Sequence, residues 1–353
     1  MAVDLTKLEQ FVHRFAGDIG AVFHASTVLI GDRLGLYRAM ADSQWVTAAE
    51  LADRTGTDER YVTEWLAAQA ASQYAEYDAP SGRYRLSEEQ AFALTDEMHP
   101  VFAPGGVECA ASTIHDVDRM VEAYRSGAGV PWGEHHHLLF EGTMRFFRAN
   151  YIGALVDSWL PALDGVVDRL GAGGARVADV GCGLGSSTVL MAAAFPDAVL
   201  TGFDVHEDSV AAARKAAAEA GVADRCKFEV ASAKDFPGTA YDLITYFDCL
   251  HDMGDPVGAL AHGREALADG GTVMVVEPYA GDSVADNLNP VGRIYYSASS
   301  TLCVPNSRSQ EGDAALGAQA GEVRIREVAA SAGLGHFRRA AETPFNLVYE
   351  ARP

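Results

Sequence analysis

The sequence predicts an α/β protein whose larger part is a doubly wound parallel sheet, preceded by a mainly helical module. Three observations support this prediction. A glycine cluster follows the β-branched run at 176–180, an acidic residue ends the next predicted strand, and strand and helix patterns alternate from residue 173 onward. Such alternation is typical of sheets covered by helices on both faces. With 353 residues, the chain is long enough for two domains.

The composition indicates a water-soluble protein without a nucleic-acid partner. The chain has 27 Lys and Arg against 49 Asp and Glu, a formal net charge of −22, and such a surface repels phosphate backbones. The five cysteines form no C-x-x-C pair, and the N-terminus carries acids early, unlike a signal peptide. No apolar run approaches the roughly 20 residues that span a bilayer. We therefore expect a cytoplasmic protein with reduced thiols and no membrane contact.

Residues 1–95 have the pattern of helices followed by a β-hairpin. Thr47 and Glu50 have the spacing of a capping box, which predicts a helix start. A turn at 78–82 separates two short β-type runs. The predicted elements, in order, cover 24–40, 47–56, 57–73 and 74–86. Three helices and a hairpin describe a winged helix, a fold that often binds DNA.

The charge of this first segment argues against DNA binding. Residues 1–95 contain eight basic and fourteen acidic side chains, a net charge of −6. The helix that would enter a DNA groove carries Asp58, Glu59 and Glu64 against Arg60 alone. DNA affinity depends on basic side chains that neutralise phosphates. We therefore interpret 1–95 as a winged-helix-like dimerisation domain and expect a homodimer.

Residues 96–172 are predicted to be a helical linker that caps a substrate pocket. We expect Trp132, His136 and Phe147 to line that pocket. The histidine run at 135–137 suggests a metal site, but consecutive residues point in different directions, whereas a metal needs convergent ligands. The sequence therefore predicts no metal site, one or two histidines in the pocket, and a structural or solvated role for the rest.

A glycine-rich turn follows the first strand of the domain at 173–353. Its residues are Gly181, Cys182, Gly183 and Gly185, directly before a helix that starts near Ser186. Glycines allow a sharp turn and a close ligand approach, and the amides of the helix N-terminus face that ligand. Asp179 precedes the turn, where it would repel a pyrophosphate but suits the sulfonium and ammonium of S-adenosylmethionine. The alternative is a turn shaped only for strand–helix packing.

Asp204 ends the next predicted strand, 198–203, and lies 23 residues after Gly181. This is close to the roughly 20-residue offset of an acid that binds ribose hydroxyls. We therefore assign Asp204, with the adjacent Val205, to the cofactor site. The alternative for Asp204 is an acid that stabilises a helix N-terminus.

The remaining elements complete a seven-stranded sheet. The predicted strands and helices cover 208–220, 227–230, 243–247, 256–270, 272–276, 322–332, 337–340 and 345–350. The long excursion at 279–310 is predicted to be a substrate wall or lid. Tyr295 and Tyr296 in it are candidates for the pocket, and core positions are the alternative.

The Asp-Val-Gly-Cys-Gly-x-Gly run, the acid after the second strand and the terminal hairpin together resemble class I S-adenosylmethionine-dependent methyltransferases. The winged-helix-like module makes the architecture similar to small-molecule O-methyltransferases and to an actinobacterial group of methyltransferases. The resemblance implies S-adenosyl-L-methionine as cofactor and S-adenosyl-L-homocysteine as product. It further implies that Ser232 and Ala233 bracket the adenine and that Asp248 meets the methionine part.

The segment 247–253 is similar to the Leu-His-Asp-Trp segment of O-methyltransferases, with Met253 in place of the tryptophan. The resemblance implies that His251 is the general base and that Glu277 orients it. A histidine, with a reference pKa of about 6.5, can accept a hydroxyl proton near neutral pH. The alternative for His251 is a helix-start histidine bonded to the backbone.

The sequence thus predicts methyl transfer to a hydroxyl of a small-molecule acceptor, a natural product of secondary metabolism. Methylation of carbon or nitrogen on an aromatic or indole-type acceptor is an alternative. Two further alternatives are a metabolite-sensing transcriptional regulator and a cofactor-binding fold without activity.

Overall fold

The computed structural model describes residues 3–312 and 314–353. The chain forms two compact units, Met1–Ala111 with Glu141–Ala149, and Ser112–Phe140 with Asn150–Pro353. Each unit has its own buried apolar core. The predicted linker at 96–172 contributes residues to both units, so its treatment as a separate segment stays a prediction. No helix in the described parts of the chain is both long and apolar enough to cross a bilayer.

The first unit contains the helices and hairpin of the winged-helix pattern. Its elements are α1 (Leu5–Arg33), α2 (Ala48–Thr55), α3 (Glu59–Ala71), β1 (Glu76–Asp78), β2 (Arg83–Arg85), α4 (Glu88–Leu94) and α5 (Pro104–His115), the last of which ends in the second unit. The Thr47–Glu50 capping box forms, and Gly56 ends α2 in the left-handed conformation. Asp58 caps α3 by accepting the backbone N–H groups of Arg60 and Tyr61.

The predicted first helix, 24–40, is wrong at both ends. Helix α1 begins 19 residues earlier, at Leu5, and ends at Arg33. It ends there because Gly35 takes a φ of +71°, which interrupts the helix before a short 3₁₀ turn at Arg38–Met40. Gly31 lets α1 approach α3 closely, since a Cβ at Gly31 would lie 2.5 Å from the Trp65 ring.

The second unit contains the main sheet and its covering helices. Its elements are α6 (Val117–Ser126), α7 (Leu138–Ala154, whose middle belongs to the first unit), α8 (Val166–Gly171), β3 (Arg176–Val180), α9 (Ser186–Ala194), β4 (Val199–Asp204), α10 (Glu207–Glu219), β5 (Cys226–Val230), β6 (Tyr241–Phe247), α11 (Pro256–Ala266), β7 (Leu267–Pro278), α12 (Pro290–Ala298), α13 (Val304–Arg308), α14 (Gly321–Ser331), β8 (His336–Glu342) and β9 (Asn346–Arg352).

The seven strands have the order β5-β4-β3-β6-β7-β9-β8, which confirms the predicted doubly wound sheet. The first five strands in this order are parallel, and β9 is antiparallel to both β7 and β8. The chain goes from β3 to one side and later returns to the other side at β6. Ligands of such sheets bind at the carboxyl ends of the strands beside this switch point.

One predicted boundary within this unit is wrong. Helix α11 ends at Ala266, not at Gly270, and β7 already begins at Leu267. Gly270 has a φ of +70° inside that strand, where its backbone freedom serves an irregularity of the pairing with β6 and not a helix end. The excursion at 279–310 contains α12 and α13, which are joined by a π-helical turn at Ser299–Cys303, and its role as a substrate wall or lid stays a prediction.

Candidate active site

The glycine turn after β3 combines two tightly packed positions with an open one. Gly181, Gly183 and Gly185 all have positive φ, at +74°, +52° and +81°. A Cβ at Gly181 would lie 2.7 Å from Cys249 Sγ, and one at Gly185 would lie 2.8 Å from the Phe228 ring. At Gly183 a Cβ would meet no described atom within 4 Å. The backbone at Gly183 is therefore the position that a ligand can approach.

Asp179, at the end of β3, forms hydrogen bonds that hold the glycine turn in place. Its carboxylate is fully buried and accepts hydrogen bonds from Ser187 Oγ at 2.7 Å, Thr188 Oγ1 at 2.6 Å and Thr245 Oγ1 at 3.0 Å. Burial raises the pKa of Asp179, and the three hydroxyls oppose that shift. Asp179 thus ties the first turn of α9 to β6, and its direct contact with a cofactor stays a prediction.

Asp204 supports the turn from the end of β4. Its Oδ2 accepts the backbone N–H of Gly183 and its Oδ1 accepts that of His206, both at 2.9 Å. Burial raises the pKa of this carboxyl group. A carboxylate has about four lone-pair positions, so two remain for further donors. Val205 beside it is 69% exposed.

The segment after β5 forms a capped turn next to Asp204. Ser232 and Ala233 are half-buried in this turn. The backbone N–H of Ser232 donates to Asp235 Oδ1 at 3.2 Å. Because β5 pairs with β4, these residues lie at the same sheet edge as Asp204.

Asp248, directly after β6, has a strained backbone and a buried carboxylate. Its φ is +49°, a conformation that costs a non-glycine residue about 1–2 kcal/mol. Asn346 Nδ2 donates to Oδ1 at 2.7 Å and the Tyr151 hydroxyl donates to Oδ2 at 3.4 Å. Burial, together with the nearby charge of Glu277, raises the pKa of Asp248 well above its usual range. The Oδ1 atom of Asn346 is buried without a hydrogen-bond partner among the described residues.

The structure brings His251 and Glu277 into direct contact. His251 Nδ1 lies 2.5 Å from Glu277 Oε2, and Glu277 Oε1 accepts the backbone N–H of Leu250 at 3.1 Å. Both side chains are buried, at 3% and 4% exposure. The pair lies at the carboxyl ends of the neighbouring strands β6 and β7.

The other ring nitrogen of His251 faces two residues that the sequence interpretation missed. Nε2 lies 3.1 Å from Asp252 Oδ1, and the buried Cys303 lies nearby. Burial alone would lower the pKa of His251, but the negative charges of Asp252 and Glu277 outweigh it and raise that pKa well above its ordinary value. Asp252 was detectable as part of the quoted segment, whereas Cys303, 52 residues after His251, had no sequence signal.

The aromatic residues predicted to line the pocket lie in different surroundings. Tyr295 is 4% exposed, and its hydroxyl donates to the Phe345 carbonyl, as expected of a core residue. Tyr296 is half-buried and its hydroxyl accepts from Asn287 Nδ2 at 3.4 Å. Phe147 belongs to the first compact unit, so its place in the pocket stays a prediction.

The three histidines of the run at 135–137 lie in different surroundings, and their place in a substrate pocket stays a prediction. His135 is buried and pairs through Nδ1 with Asp116 Oδ2 at 2.9 Å. His137 is exposed, while His136 is half-buried and stacks on His115 at 4.0 Å between ring centroids. Trp132 is half-buried, and its backbone N–H donates to Asn306 Oδ1 at 3.1 Å.

Two segments of the chain match known protein families. Residues 172–314 match the family model of a methyltransferase domain, and residues 23–96 match that of an Rv2258c-like winged HTH domain. The 27-O-demethylrifamycin SV methyltransferase of Amycolatopsis mediterranei (strain S699) is 30% identical over 128 residues, which are 34% of this chain and 47% of that protein. The chain spans less than half the length of the first curated relatives that it matches.

Solved structures of methyltransferases have the same fold. Human N-acetylserotonin methyltransferase in complex with S-adenosylmethionine aligns with a TM-score of 0.71 at 16% identity, over 97% of both chains. The mitomycin 7-O-methyltransferase aligns with a TM-score of 0.66 at 18% identity, over 99% of this chain and 100% of that one. The glycine turn and the segments after β4, β5 and β6 all lie within residues 172–314, which match the methyltransferase family model.

Proposed function

We propose, from a chain that carries a methyltransferase domain behind a winged HTH domain, that it transfers the methyl group of S-adenosylmethionine to a hydroxyl of a small molecule. The observation that supports this most is the buried His251–Glu277 pair, with Nδ1 and Oε2 2.5 Å apart. A carboxylate on one ring nitrogen fixes the tautomer and leaves the other nitrogen for an acceptor proton. Natural-product hydroxyls, as in the rifamycin relative, are the substrates that this arrangement suits.

The residues around the glycine turn fit this cofactor. Gly183 leaves open space at the backbone, and Asp204 keeps lone pairs for two ribose hydroxyls. Ser232 and Ala233 flank the adenine at the same sheet edge. Near Asp248, the unpartnered Oδ1 of Asn346 is an acceptor that an ammonium group can satisfy. We assign Asp248 and Asn346 to the methionine end of the cofactor.

The chemical step needs positioning and one proton transfer. When bound, S-adenosylmethionine supplies the sulfonium methyl, which moves to the acceptor oxygen while sulfur keeps the bonding electrons. An enzyme contributes to such a displacement mainly by alignment and exclusion of water. His251 removes the hydroxyl proton through Nε2, and Glu277 stabilises the imidazolium that results. His251 becomes a base when the acceptor hydroxyl displaces Asp252 from Nε2, because one of the two charges that raise its pKa then moves away.

An aromatic acceptor suits the half-buried side chains near this site. Trp132, Phe140 and His206 are in contact, since Trp132 and Phe140 lie 6.1 Å apart and Phe140 stacks on His206 at 4.9 Å between centroids. His206 follows Asp204 and Val205 directly. These rings, with His136 and Tyr296, are the proposed walls of the acceptor pocket.

The first unit supports a homodimer. The N-terminal half of α1 exposes a set of large apolar side chains, each between 45% and 74% accessible: Leu5, Leu8, Phe11, Val12, Phe15, Ile19, Val22 and Phe23. Exposed apolar surface of this extent is unusual for a monomer and marks an interaction site. A second copy of α1 offers the same apolar surface, and two-fold contacts of this kind are self-complementary.

The winged HTH domain is proposed to act in assembly and not in DNA binding. On α3, Arg60 is engaged by Glu64 at 2.6 Å, and Glu59 adds a further negative charge in the first turn. Phosphate recognition requires free basic side chains. A low-salt gel shift with random duplex DNA tests this point, and salt-sensitive binding would overturn it.

A screen of acceptors tests the proposed reaction. The full-length protein is incubated with S-adenosylmethionine and a panel of phenols, naphthols, aliphatic alcohols and matched amines, and products are identified by mass spectrometry. We expect hydroxyl compounds to gain one methyl group and to release S-adenosylhomocysteine. Methylation of the amines alone would overturn the hydroxyl assignment.

A further inference from the structure

Three side chains with different donor atoms lie close together, two in the turn after β6 and one directly before α13. His251, Asp252 and Cys303 each offer one ligand atom, and these atoms all lie within 4.8 Å of one another. They supply an imidazole nitrogen, a carboxylate oxygen and a thiol sulfur. This is the donor set that zinc accepts, with ligand distances of about 2.0–2.3 Å. Catalytic zinc sites use three protein ligands and leave the fourth position open.

The surroundings of the cluster match those of a metal-binding histidine. Glu277 holds Nδ1 of His251, which leaves Nε2 as the ligand atom, and a carboxylate on the second ring nitrogen is the usual support of a zinc-bound histidine. Asp252 Oδ1 is buried and lies 3.1 Å from Nε2, so the carboxylate and the imidazole nitrogen already face each other. A buried carboxylate is stable only when it is paired, and a cation held between Oδ1, Nε2 and the Cys303 sulfur would pair with it.

The backbone around these ligands is held in place. The carbonyl of Asp252 accepts from Gln310 Nε2 at 3.0 Å and from Asn306 Nδ2 at 3.4 Å. The Ser307 hydroxyl donates to the Met253 carbonyl at 2.9 Å. Because Cys303 directly precedes α13, these contacts fix the distance between the two ligand-bearing segments. The site therefore exists before any ion arrives.

We propose that His251, Asp252 and Cys303 form a binding site for a thiophilic divalent cation of the zinc class. Binding replaces the Cys303 S–H bond with a sulfur–metal bond, and the thiol proton is released to solvent. Any proton on His251 Nε2 is released in the same way. Carboxylate-preferring cations such as Mg²⁺ are poor occupants, since they do not favour sulfur and nitrogen ligands.

Occupancy of this site blocks the base. A metal bound to Nε2 occupies the lone pair that would take the proton from the substrate hydroxyl. Zinc should therefore inhibit methyl transfer reversibly. This consequence rests on the proposed function of His251, whereas the binding itself does not. Free zinc should thus lower the rate of methyl transfer by binding at His251, the proposed base.

Cobalt provides a direct probe of the site in the metal-free, full-length protein. Co²⁺ coordinated by a cysteine gives a thiolate-to-metal charge-transfer band in the near ultraviolet. We expect this band on titration with one equivalent of Co²⁺, its displacement by Zn²⁺, and its loss in Cys303→Ser. Cys226→Ser, which removes a buried thiol on β5, is the matched control and keeps the band. The absence of a band in the wild type, or its persistence in Cys303→Ser, would overturn the site.

Two further measurements separate the site from the proposed reaction. Glu277→Gln should weaken cobalt binding by about 10–100-fold, the usual effect of losing the partner of a metal-bound histidine. With an acceptor in hand, Zn²⁺ should inhibit the wild type, and a chelator should restore its metal-free rate. Cobalt binding with unchanged methyl transfer in zinc would support the metal site and contradict His251 as the base.

Discussion

Glu277 Oε2 lies 2.5 Å from His251 Nδ1, while the second oxygen of the same carboxylate accepts the N–H of Leu250. Both oxygens of Glu277 are therefore committed, one to the imidazole and one to the backbone that carries it. The contact joins the end of β7 to the turn after β6, which are neighbours in the sheet. The ring orientation of His251 is thus set by the fold, with Nε2 directed away from Glu277.

Replacement of Glu277 by Gln should reduce turnover without abolishing it. The imidazole stays in place, but the imidazolium that forms on proton transfer loses its counter-charge. We expect a decrease in kcat of about tenfold or more, yet smaller than the ~10²–10⁴-fold contribution of a complete general base. Glu265→Gln on the surface of α11 is the control. Unchanged kcat in Glu277→Gln would show that the carboxylate does not assist the transfer.

Replacement of Asp204 by Ala should weaken cofactor binding. The substitution removes the carboxylate proposed for the ribose hydroxyls and releases the N–H of Gly183. Hydrogen bonds to a charged group contribute about 1.5–3 kcal/mol, so the Kd for S-adenosylmethionine should rise about 10–100-fold. Calorimetry measures this, with the exposed Asp208→Ala as control. Equal affinities of Asp204→Ala and wild type, or tight NAD binding by the wild type, would contradict the assignment.

Gly183 and Gly185 should respond differently to substitution by alanine, because only Gly183 has open space where the new Cβ would lie. Gly183→Ala adds a methyl group where no described atom lies within 4 Å, so the fold should lose only about 1–2 kcal/mol from the positive φ. S-adenosylmethionine binding should nevertheless fall, because the methyl group occupies the ligand side of the turn. Calorimetry and urea unfolding measure the two effects.

Gly185→Ala is the matched comparison for that variant. Its added Cβ would lie 2.8 Å from the Phe228 ring and 2.9 Å from the Ala213 Cβ. Overpacking of this kind costs about 1–3 kcal/mol beyond the backbone strain. Gly185→Ala should therefore be the less stable of the two. If Gly183→Ala loses as much stability and binds the cofactor normally, Gly183 does not face the ligand.

Charged substitutions on the exposed half of α1 should dissociate the proposed dimer. Phe11 and Phe15 stack at 6.0 Å and are 60% and 55% exposed. A double substitution of both by Asp places two charges in the apolar surface, and sedimentation should then show a monomer. Gln10→Asp adds a charge at an exposed polar position of the same helix and should leave a dimer. A monomeric wild type would refute the proposed role of α1.

Local sequence rules predict those helices that begin with a capping side chain. Thr47 forms the cap that starts α2, as its spacing from Glu50 predicts. Asp58 and Asp255 cap α3 and α11 with side chains of the type that helix starts favour. The glycine turn and Asp204 are also in contact, because each follows or ends one of two neighbouring parallel strands, β3 and β4. These features are encoded within a few residues or by a regular fold.

Features that depend on distant packing were not predictable in this way. The N-terminal part of α1 has the apolar period of a helix, but these apolar side chains are exposed, so packing within this chain does not account for it. The contact of Cys303 with His251 depends on the π-helical turn that joins α12 to α13. The three hydroxyls that bind Asp179 come from α9 and β6, and no local sequence pattern indicates them. Such contacts are set by tertiary structure alone.

The most direct test of the account is the turnover of His251→Ala on an acceptor found by screening. As a general base, His251 should contribute about 10²–10⁴-fold, so kcat should fall by that factor at neutral pH. The Kd for S-adenosylmethionine should change little, because His251 lies outside the proposed cofactor contacts. Near-wild-type turnover in His251→Ala would contradict the central claim and identify the acceptor as a nucleophile that needs no deprotonation, such as a free amine or an electron-rich ring carbon.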